Sequence, residues 1–507
     1  MLLQVNGLYL SRIAVNLLAT IKILFGDNVD SPDQWVESVL GPIAASFASF
    51  VFYSVPVAGY QLPLIVAWLG IAAVFFTLYF RFINFRGLWL AIRHVRGDFN
   101  DPDARGEISH FKAVATAISG TVGVGNIGGV AVALSIGGPG AAFWLFFAGL
   151  LSMSTKLVEC TLGVRFRRHN EDGSVSGGPM YYLEAYFRDR QLPSLGKLFG
   201  GFYAIALVIG CFGIGNMFQS NQAYAQVLVI TGGSESWLAD KGWLFGLVLA
   251  VIVASVIIGG IKAIARVAGV LVPFMALLYA LSAVVVVALS YEHIMPALNL
   301  VMTSAFSSDA AIGGGLGALI VGFQRALFSN EAGLGSASIA HAAVRTERPA
   351  SEGLVSLLEP FIDTVIVCSL SSLVILTTAV PNNLMSDGLA GIELTSAAFG
   401  HHFNWAPYVI AVAALLFAFS TALAWSYYGL KAWTYLVGEG PKRALAFQLV
   451  FCGFLIIGAM LKLGAVLDFS DAMVFLISVP NLIALYLYAP EVRRELIAYM
   501  AELKARA

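Results

Sequence analysis

Residues 117–129 read Ala-Ile-Ser-Gly-Thr-Val-Gly-Val-Gly-Asn-Ile-Gly-Gly, and this glycine-rich stretch lies in the middle of an apolar run. Its five glycines fall within ten residues, at positions 120, 123, 125, 128 and 129. Each glycine inside a helix costs about 1 kcal/mol relative to alanine. The stretch therefore predicts a helix that is broken partway along its length.

The sequence on both sides of this stretch predicts a membrane protein. The chain is 59% apolar and only 12% charged, whereas soluble proteins carry about 25% charged residues. Residues 62–80 and 243–261 contain no charge at all, and about 20 such residues cross the hydrocarbon core as a helix. The runs are continuous rather than alternating, so they indicate helices and not the strands of a barrel.

The apolar runs predict about eleven transmembrane helices. A first span covers residues 62–83, and ten core spans follow it. The core spans are 111–136, 141–165, 198–230, 243–261, 263–290, 312–344, 354–378, 405–437, 443–463 and 466–489. With this count, the loops rich in Lys and Arg all fall on one side, which the positive-inside rule places in the cytoplasm together with the C-terminus.

The chain divides into three predicted regions. Residues 1–60 are an N-terminal segment placed outside, on the membrane surface; within it, residues 1–25 are either an interfacial amphipathic helix or an uncleaved signal-like stretch. Residues 61–490 form the membrane domain, with two halves at about 111–290 and 312–489. Residues 491–507 form a cytoplasmic tail. Helical spans indicate the inner membrane of a prokaryote, because outer-membrane spans are barrels.

A second broken helix occupies the matching position in the second half. Residues 328–336 read Phe-Ser-Asn-Glu-Ala-Gly-Leu-Gly-Ser and lie in core span six, as residues 117–129 lie in core span one. Glycine-interrupted spans in matching positions of two halves indicate a transporter binding site, where half-helix ends attract ions and charged groups. The alternative is that these glycines only permit close helix packing. The polar residues Asn126 and Glu331 within the breaks favour a site.

Polar side chains cluster on two other core spans. Asn216, Gln219 and Gln222 share one face of the third span, because they are three residues apart. Ser420 and Thr421 lie in the eighth span, one turn before Trp425, and hydroxyl oxygens suit an alkali cation. For any single hydroxyl, the alternative is a hydrogen bond to its own helix.

Charged side chains inside the spans are costly in a membrane and are usually paired or functional. Lys156 and Glu159 are three apart and are expected to neutralise each other. Arg325 and Glu331 flank the second break, where they are candidates for a gate pair, and pairing with Asp363 is the alternative. A protonatable Glu331 or Asp363 would also permit coupling to protons.

Several long motifs in this chain resemble the alanine/glycine:cation symporter family, the sodium:alanine symporters. They occur in the same order over roughly residues 62–489. The first is the stretch 119–160, with Gly-Thr-Val-Gly-Val-Gly-Asn at 120–126 and Gly-Gly-Pro-Gly at 137–140. The others are Gly-Gly-Pro-Met-Tyr-Tyr at 177–182, Phe-Ser-Asn-Glu-Ala-Gly-Leu-Gly at 328–335, and Phe-Ser-Thr-Ala-Leu-Ala-Trp-Ser-Tyr-Tyr-Gly at 419–429. The resemblance implies the all-α leucine-transporter-like fold, with two inverted five-helix repeats and one extra N-terminal helix. It also implies sodium-coupled symport of a small amino acid, alanine or glycine, by alternating access.

The resemblance further implies a role for each site residue. The substrate carboxylate is expected at Gly125, Asn126 and Gln219, and the ammonium at carbonyls near Thr121 and Phe328. Phe328 and Trp425 are expected to enclose a small side chain. Sodium is expected between Gly123 and the hydroxyls of Ser420 and Thr421.

Other classes of function fit the sequence less well. A channel needs a filter, and no repeated filter motif occurs. An enzyme is not expected, since no cluster of metal-ligating histidines is present and the four cysteines lie in apolar spans without metal spacing. The net charge of −1 argues against nucleic acid. The expected partners are the amino acid, Na⁺ and the lipid bilayer, with no cofactor beyond the coupling ion; proton coupling, or another small solute, is the alternative.

Overall fold

The computed structural model describes residues 32–57, 59–101, 103–171, 173–306, 315–386 and 388–506. Its regular elements are almost all helical. In chain order they are α1 Pro32–Val51, β1 Ser54–Val57, β2 Tyr60–Pro63, α2 Leu64–Tyr79, α3 Ile83–Arg86, α4 Leu88–Arg96, α5 His110–Thr121, α6 Gly128–Gly137, α7 Ala141–Arg165, β3 Arg168–His169, β4 Val175–Ser176, α8 Pro179–Arg188, α9 Pro193–Gly210, α10 Phe218–Thr231, α11 Gly242–Ile257, α12 Gly260–Leu289, α13 Ile294–Phe306, α14 Gly315–Asn330, α15 Ser336–His341, α16 Pro349–Val355, α17 Leu358–Pro360, α18 Ser369–Val374, α19 Ile392–Gly400, α20 Ala406–Val437, α21 Pro441–Met460 and α22 Leu463–Arg506.

Within the described residues, seven shorter helical turns join these helices. Three are π-helical: Gly213–Met217, Phe361–Cys368 and Ile375–Ala379. Four are 3₁₀ turns: Val124–Asn126, Gly233–Glu235, Tyr291–His293 and Leu384–Ser386. The strands form two small antiparallel pairs, in which Ser54 lies opposite Pro63 and Arg168 lies opposite Ser176.

The all-helical membrane architecture predicted from the sequence is confirmed. Seven helices in the described ranges are long and apolar enough to span a membrane, and the bent pair α5–α6 makes an eighth. The shorter apolar helices α2 and α11 and the second broken helix α14–α15 make the total compatible with the predicted eleven. The outward apolar faces also fit a bilayer, since Val270 and Phe274 on α12 are 75% and 57% exposed.

The two broken helices begin two sets of five spans. The first set is α5–α6, α7, α9–α10, α11 and α12, and the second is α14–α15, residues 349–379, α20, α21 and α22. The sets interlock, because α7 packs against α14 and α20 packs against both α5 and α10. Both breaks therefore lie within the bundle, near the contacts between the two halves.

The N-terminal segment, the C-terminal tail and the end of the first span differ in part from the sequence prediction. The helix α1 packs along α22, and residues 1–31, including the predicted helix or signal-like stretch at 1–25, lie outside the described residues. The predicted tail at 491–507 begins inside α22, which continues without interruption to Arg506. The first span ends at Tyr79 rather than at residue 83, because Arg81 and Phe82 adopt positive φ angles of 54° and 55° that stop the helix.

Candidate functional site

The first break bends its helix by 59° between residues 121 and 124. The helix α5 ends at Thr121, a single 3₁₀ turn follows at Val124–Asn126, and α6 starts at Gly128. The C-terminal carbonyls of α5 and the N-terminal amides of α6 therefore both face the break, with partial charges of opposite sign. This arrangement can hold a cation and an anion side by side.

Gln219 braces the first break from α10. Its Oε1 accepts a hydrogen bond from the Val124 amide at 3.0 Å, and its Nε2 donates to the Ile214 carbonyl at 2.9 Å. The Ile214 carbonyl belongs to the π-helical turn before α10, and such turns concentrate at functional sites. The predicted face of α10 thus does reach the break, where it holds the backbone.

Asn126 is also tied into the protein. Its Oδ1 accepts from the Gly123 amide at 2.9 Å, and its Nδ2 donates to Asp363 Oδ1 at 2.6 Å. The Asn126 carbonyl accepts from the Ser371 hydroxyl at 2.6 Å. The side chain therefore fixes the shape of the break in this conformation, and contact with a substrate carboxylate stays a prediction.

Asp363 joins the two breaks to one another. One oxygen accepts from Asn126 in the first break, and the other accepts from Ser329 next to the second break at 2.9 Å and from Thr364 at 2.6 Å. The carboxylate is fully buried and lies in the π-helical segment Phe361–Cys368. Hydrogen bonds to a charged group contribute about 1.5–3 kcal/mol each. Loss of the Asp363 charge would therefore weaken hydrogen bonds at both breaks.

Thr421 supplies an unsatisfied oxygen at the first break. Its hydroxyl is buried and has no hydrogen-bond partner among the described residues, and a Cβ placed on Gly123 would lie only 2.7 Å from that oxygen. Leaving a buried hydroxyl without a partner costs about 1–3 kcal/mol. An oxygen left in this state beside unwound backbone is suited to a cation.

The other predicted hydroxyls are bonded within their own helices. The Ser420 hydroxyl donates to the Phe417 carbonyl at 3.1 Å, and the Thr121 hydroxyl lies 3.4 Å from the Ala117 carbonyl. Both follow the local alternative for Ser and Thr in helices. Of the three residues expected around sodium, the structure brings Gly123 and Thr421 together, while the Ser420 hydroxyl is occupied elsewhere.

Two phenylalanine rings face Gly125. A Cβ placed on Gly125 would lie 3.7 Å from Phe328 and 3.9 Å from Phe218, and the rings meet edge to face with centroids 5.4 Å apart. A methyl group added at Gly125 would therefore lie against both rings. The steric boundary predicted for Phe328 therefore has a partner, Phe218, that the sequence reasoning missed.

Trp425 contacts the second break instead of this aromatic pair. Its Nε1 donates to Glu331 Oε1 at 2.8 Å, and the Ser336 hydroxyl donates to the other oxygen of Glu331 at 2.5 Å. Glu331 itself has a positive φ of 57°, where the helix α14 has just ended. The Trp425 indole thus fixes the position of the Glu331 carboxylate within the second break.

Glu159 anchors the second break from α7. Its Oε1 accepts from the amides of Gly333 and Gly335 at 2.7 and 3.1 Å, and from Asn481 Nδ2 at 2.9 Å. Both glycines have positive φ angles, 95° and 81°, which side chains with a Cβ rarely adopt. The carboxylate therefore satisfies the backbone amides that the broken helix leaves open.

The predicted partners of Lys156 and Arg325 are wrong in this conformation. Lys156 pairs with Glu359 at 3.3 Å and not with Glu159, because the open amides of the second break bind the Glu159 carboxylate. Arg325 pairs with Asp471 on α22 and not with Glu331 or Asp363, because both of those carboxylates are already bound within the breaks. A gating role for Arg325, Glu331 and Asp363 stays a prediction.

The pair between Lys156 and Glu359 is part of a longer buried chain. His341 Nε2 lies 2.5 Å from Glu359, its Nδ1 lies 2.6 Å from Glu352, and Glu352 also contacts His110. All of these side chains are buried. The sequence offered a weak signal for them, since each is a polar residue within or next to an apolar span.

A large cavity opens at the end of the bundle opposite the basic loops. It has a volume of about 910 Å³, and its lining includes Asn221, Gln222, Asp240 and Glu393. Gln222 lies one helical turn from Gln219, which braces the first break. The cavity therefore reaches to within one turn of the candidate site.

Comparisons with known proteins show which family this chain resembles. Residues 48–507 match the model of the sodium:alanine symporter family. The sodium/alanine symporter AgcS of Methanococcus maripaludis is 37% identical over 437 residues, which cover 86% of this chain and 94% of AgcS. An uncharacterized transporter of Haemophilus influenzae is 37% identical over 431 residues, covering 83% and 90% of the two chains.

A solved structure shares the fold. The crystal structure of MhsT in complex with L-phenylalanine aligns with a TM-score of 0.56 at 16% identity, over 76% of this chain and 89% of that one. MhsT has the leucine-transporter fold. The leucine-transporter-like architecture expected from the sequence is thereby confirmed.

Proposed function

The chain belongs to the sodium:alanine symporter family, and on this basis we propose that it carries a small neutral amino acid, alanine or glycine, into the cell by sodium-driven symport. The observation that carries the proposal is the unpartnered Thr421 hydroxyl beside Gly123. Among the residues that the structure describes, no protein group offsets the desolvation of this oxygen. A sodium ion would offset it.

The sodium ion would lie between the first break and α20. Carbonyl oxygens exposed where α5 ends would complete its coordination with Thr421 Oγ1, since unwound carbonyls and hydroxyls are hard oxygen ligands. Ser420, which the resemblance included, would contribute only after its hydroxyl left the Phe417 carbonyl. Sodium at this point would order the break and raise its affinity for the amino acid.

The amino acid would bind at Gly125, between the two breaks. The N-terminus of α6 would attract its carboxylate and the C-terminus of α14 would attract its ammonium group. The rings of Phe218 and Phe328, within 4 Å of a Cβ placed on Gly125, would limit the side chain to about the size of a methyl group. This steric limit supports alanine and glycine over larger substrates.

Proton coupling is the alternative, and Asp363 favours it. This buried carboxylate bonds to both breaks, so its protonation would weaken contacts on both sides at once. A transporter driven by protons would keep the same fold and move the coupling site from Thr421 to Asp363. Glu331, bound by Trp425 and Ser336, is the second carboxylate that could bind the coupling proton.

The proposed orientation follows from the loop charges. The loops rich in Lys and Arg would face the cytoplasm with the C-terminus, and the 910 Å³ cavity would then open to the outside. The inner membrane of a prokaryote is the proposed location. Residues 61–490 would act as the transporter domain, with repeats at about 111–290 and 312–489.

Equilibrium binding tests the proposal directly. Labelled alanine is titrated onto the purified protein at several sodium concentrations, and sodium is titrated at several alanine concentrations. Coupled binding requires that each ligand raise the affinity of the other by the same factor. Equal alanine affinities with and without sodium would refute sodium coupling, and equal affinities at high and low pH would refute the proton alternative.

A further inference from the structure

A groove with four basic side chains lies at the end of the bundle where the basic loops cluster, away from both breaks. It runs between the end of α2, α3 and the last turns of α22, and has a volume of about 340 Å³. The basic residues that line it are Arg81, Arg86, Arg493 and Lys504. The cations come from the two ends of the chain, so the fold itself brings them together.

The charge in this groove is not compensated. No Asp or Glu lines it, and none of the four cations forms an ion pair within the part of the chain that the structure describes. Arg86 donates to the Arg81 carbonyl at 3.3 Å, and Arg493 lies over the ring of Tyr79 at 4.9 Å. These contacts position the side chains without neutralising them, so an anion would gain from all four.

The backbone at the edge of the groove is strained. Arg81 and Phe82 both have positive φ angles, 54° and 55°, although residues with a Cβ avoid this region. Strained backbone of this kind concentrates at binding and functional sites. Here the strain turns the chain sharply after α2 and leaves Arg81 at the groove and Phe82 at the surface.

The surface beside the groove is apolar and exposed. Phe82 and Phe85 are 49% and 62% exposed, and Ile497, which lines the groove, is 59% exposed. In a membrane-spanning chain such a surface faces acyl chains. The groove thus combines an uncompensated positive site with an adjoining lipid-facing surface, as an anionic phospholipid requires.

We propose that this groove binds the phosphate head group of an anionic phospholipid, whose acyl chains lie along Phe82, Phe85 and Ile497. The lipid would join α2, the helix outside the two repeats, to the last span α22. The site is independent of the amino acid and sodium sites. Free inorganic phosphate could bind the same converging cations. The experiment therefore distinguishes a lipid head group from inorganic phosphate.

The test compares two variants with the same change in charge. The groove variant carries Arg81→Gln, Arg86→Gln and Lys504→Gln. The control variant carries Lys197→Gln, Lys442→Gln and Arg494→Gln, three exposed cations outside the groove. Phosphatidylglycerol, phosphatidylcholine and inorganic phosphate are titrated onto each full-length protein in neutral detergent. The readouts are the thermal unfolding midpoint and lipid retention by native mass spectrometry.

We expect phosphatidylglycerol to bind the wild type and the control variant equally and the groove variant roughly a hundredfold more weakly, because each of the three charges removed lowers the affinity about fivefold. Equal weakening in both variants, or equal binding of phosphatidylcholine, would overturn the proposal. Stabilisation by inorganic phosphate at the same concentrations would make the groove a site for soluble phosphate. If the triple variant does not fold, Arg86→Gln alone should weaken phosphatidylglycerol about fivefold, and unchanged affinity would refute the site.

Discussion

Replacing Thr421 with valine separates sodium binding from folding. Valine keeps the shape of threonine and removes only the hydroxyl, which has no hydrogen-bond partner in the described part of the chain. Without sodium, Thr421→Val should therefore be as stable as the wild type or more stable, by up to about 1–3 kcal/mol, because an unsatisfied buried oxygen is gone. With sodium, the same change removes a ligand of the ion.

The size of the sodium effect follows from the contact that is lost. An interaction with a charged group contributes about 1.5–3 kcal/mol, so sodium affinity should fall roughly ten- to hundredfold. At a sodium concentration of about 100 times the wild-type Kd, sodium stabilises the wild type by about 2.7 kcal/mol. A hundredfold loss of affinity would reduce this to about 0.4 kcal/mol by the same relation.

The assay is the thermal unfolding midpoint of each variant across a sodium titration, with potassium holding the ionic strength constant. Ser420→Ala is the matched control, since the Ser420 hydroxyl donates to its own helix at 3.1 Å, and its sodium affinity should stay within about twofold of wild type because no ligand is lost. Unchanged sodium dependence in Thr421→Val would show that the Thr421 hydroxyl does not bind sodium. An equal loss in Ser420→Ala would also refute a sodium contact specific to Thr421.

Three further substitutions test the rest of the account. Asp363→Asn removes the charge that bonds to both breaks. In the binding assay, the affinity of the protein for the coupling ion should fall at least about tenfold. An unchanged affinity would exclude Asp363 from ion coupling. Arg325→Gln or Asp471→Asn alone should lower stability by about 3–5 kcal/mol, because each leaves a buried charge unpaired; the double variant should regain most of this in thermal unfolding, and a double variant as unstable as either single one would count against the pair. Phe328→Ala should permit binding and uptake of leucine or methionine, since it opens the ring boundary beside Gly125, and no gain for either substrate would argue against steric selection.

The sequence was sufficient to predict the breaks and the helices that carry them. Five glycines in ten residues disfavour an unbroken helix, and the recurrence of a glycine-interrupted span in the second half indicated a repeated architecture. The face of Gln219 and the hydroxyl of Thr421 also followed from helical spacing. These features are local, so periodicity and residue type reveal them.

The pairings between distant residues were not predictable in the same way. Arg325 contacts Asp471 from a position 146 residues away, and Asn481 reaches Glu159 across 322 residues. Residue spacing along one helix suggested Lys156 with Glu159 instead, but the open amides of Gly333 and Gly335 compete for that carboxylate. Which group binds the Glu159 carboxylate depends on the packing of several helices. The sequence of a single segment does not reveal that packing.

Glu159 also illustrates a general point about broken helices in membranes. The amides freed by the break have no water to bond to, so the protein must supply an acceptor. An acidic residue inside an apolar span is a reasonable place to look for one. Its sequence position gives no sign of which break it serves.

Uptake of labelled alanine into proteoliposomes shows whether a sodium gradient drives transport. The purified protein is reconstituted, and an inward sodium gradient, an inward proton gradient or no gradient is imposed. We expect accumulation above equilibrium with the sodium gradient alone, and loss of that accumulation in Thr421→Val at low sodium. Accumulation driven by the proton gradient alone, or equal uptake with no gradient, would contradict sodium-driven symport.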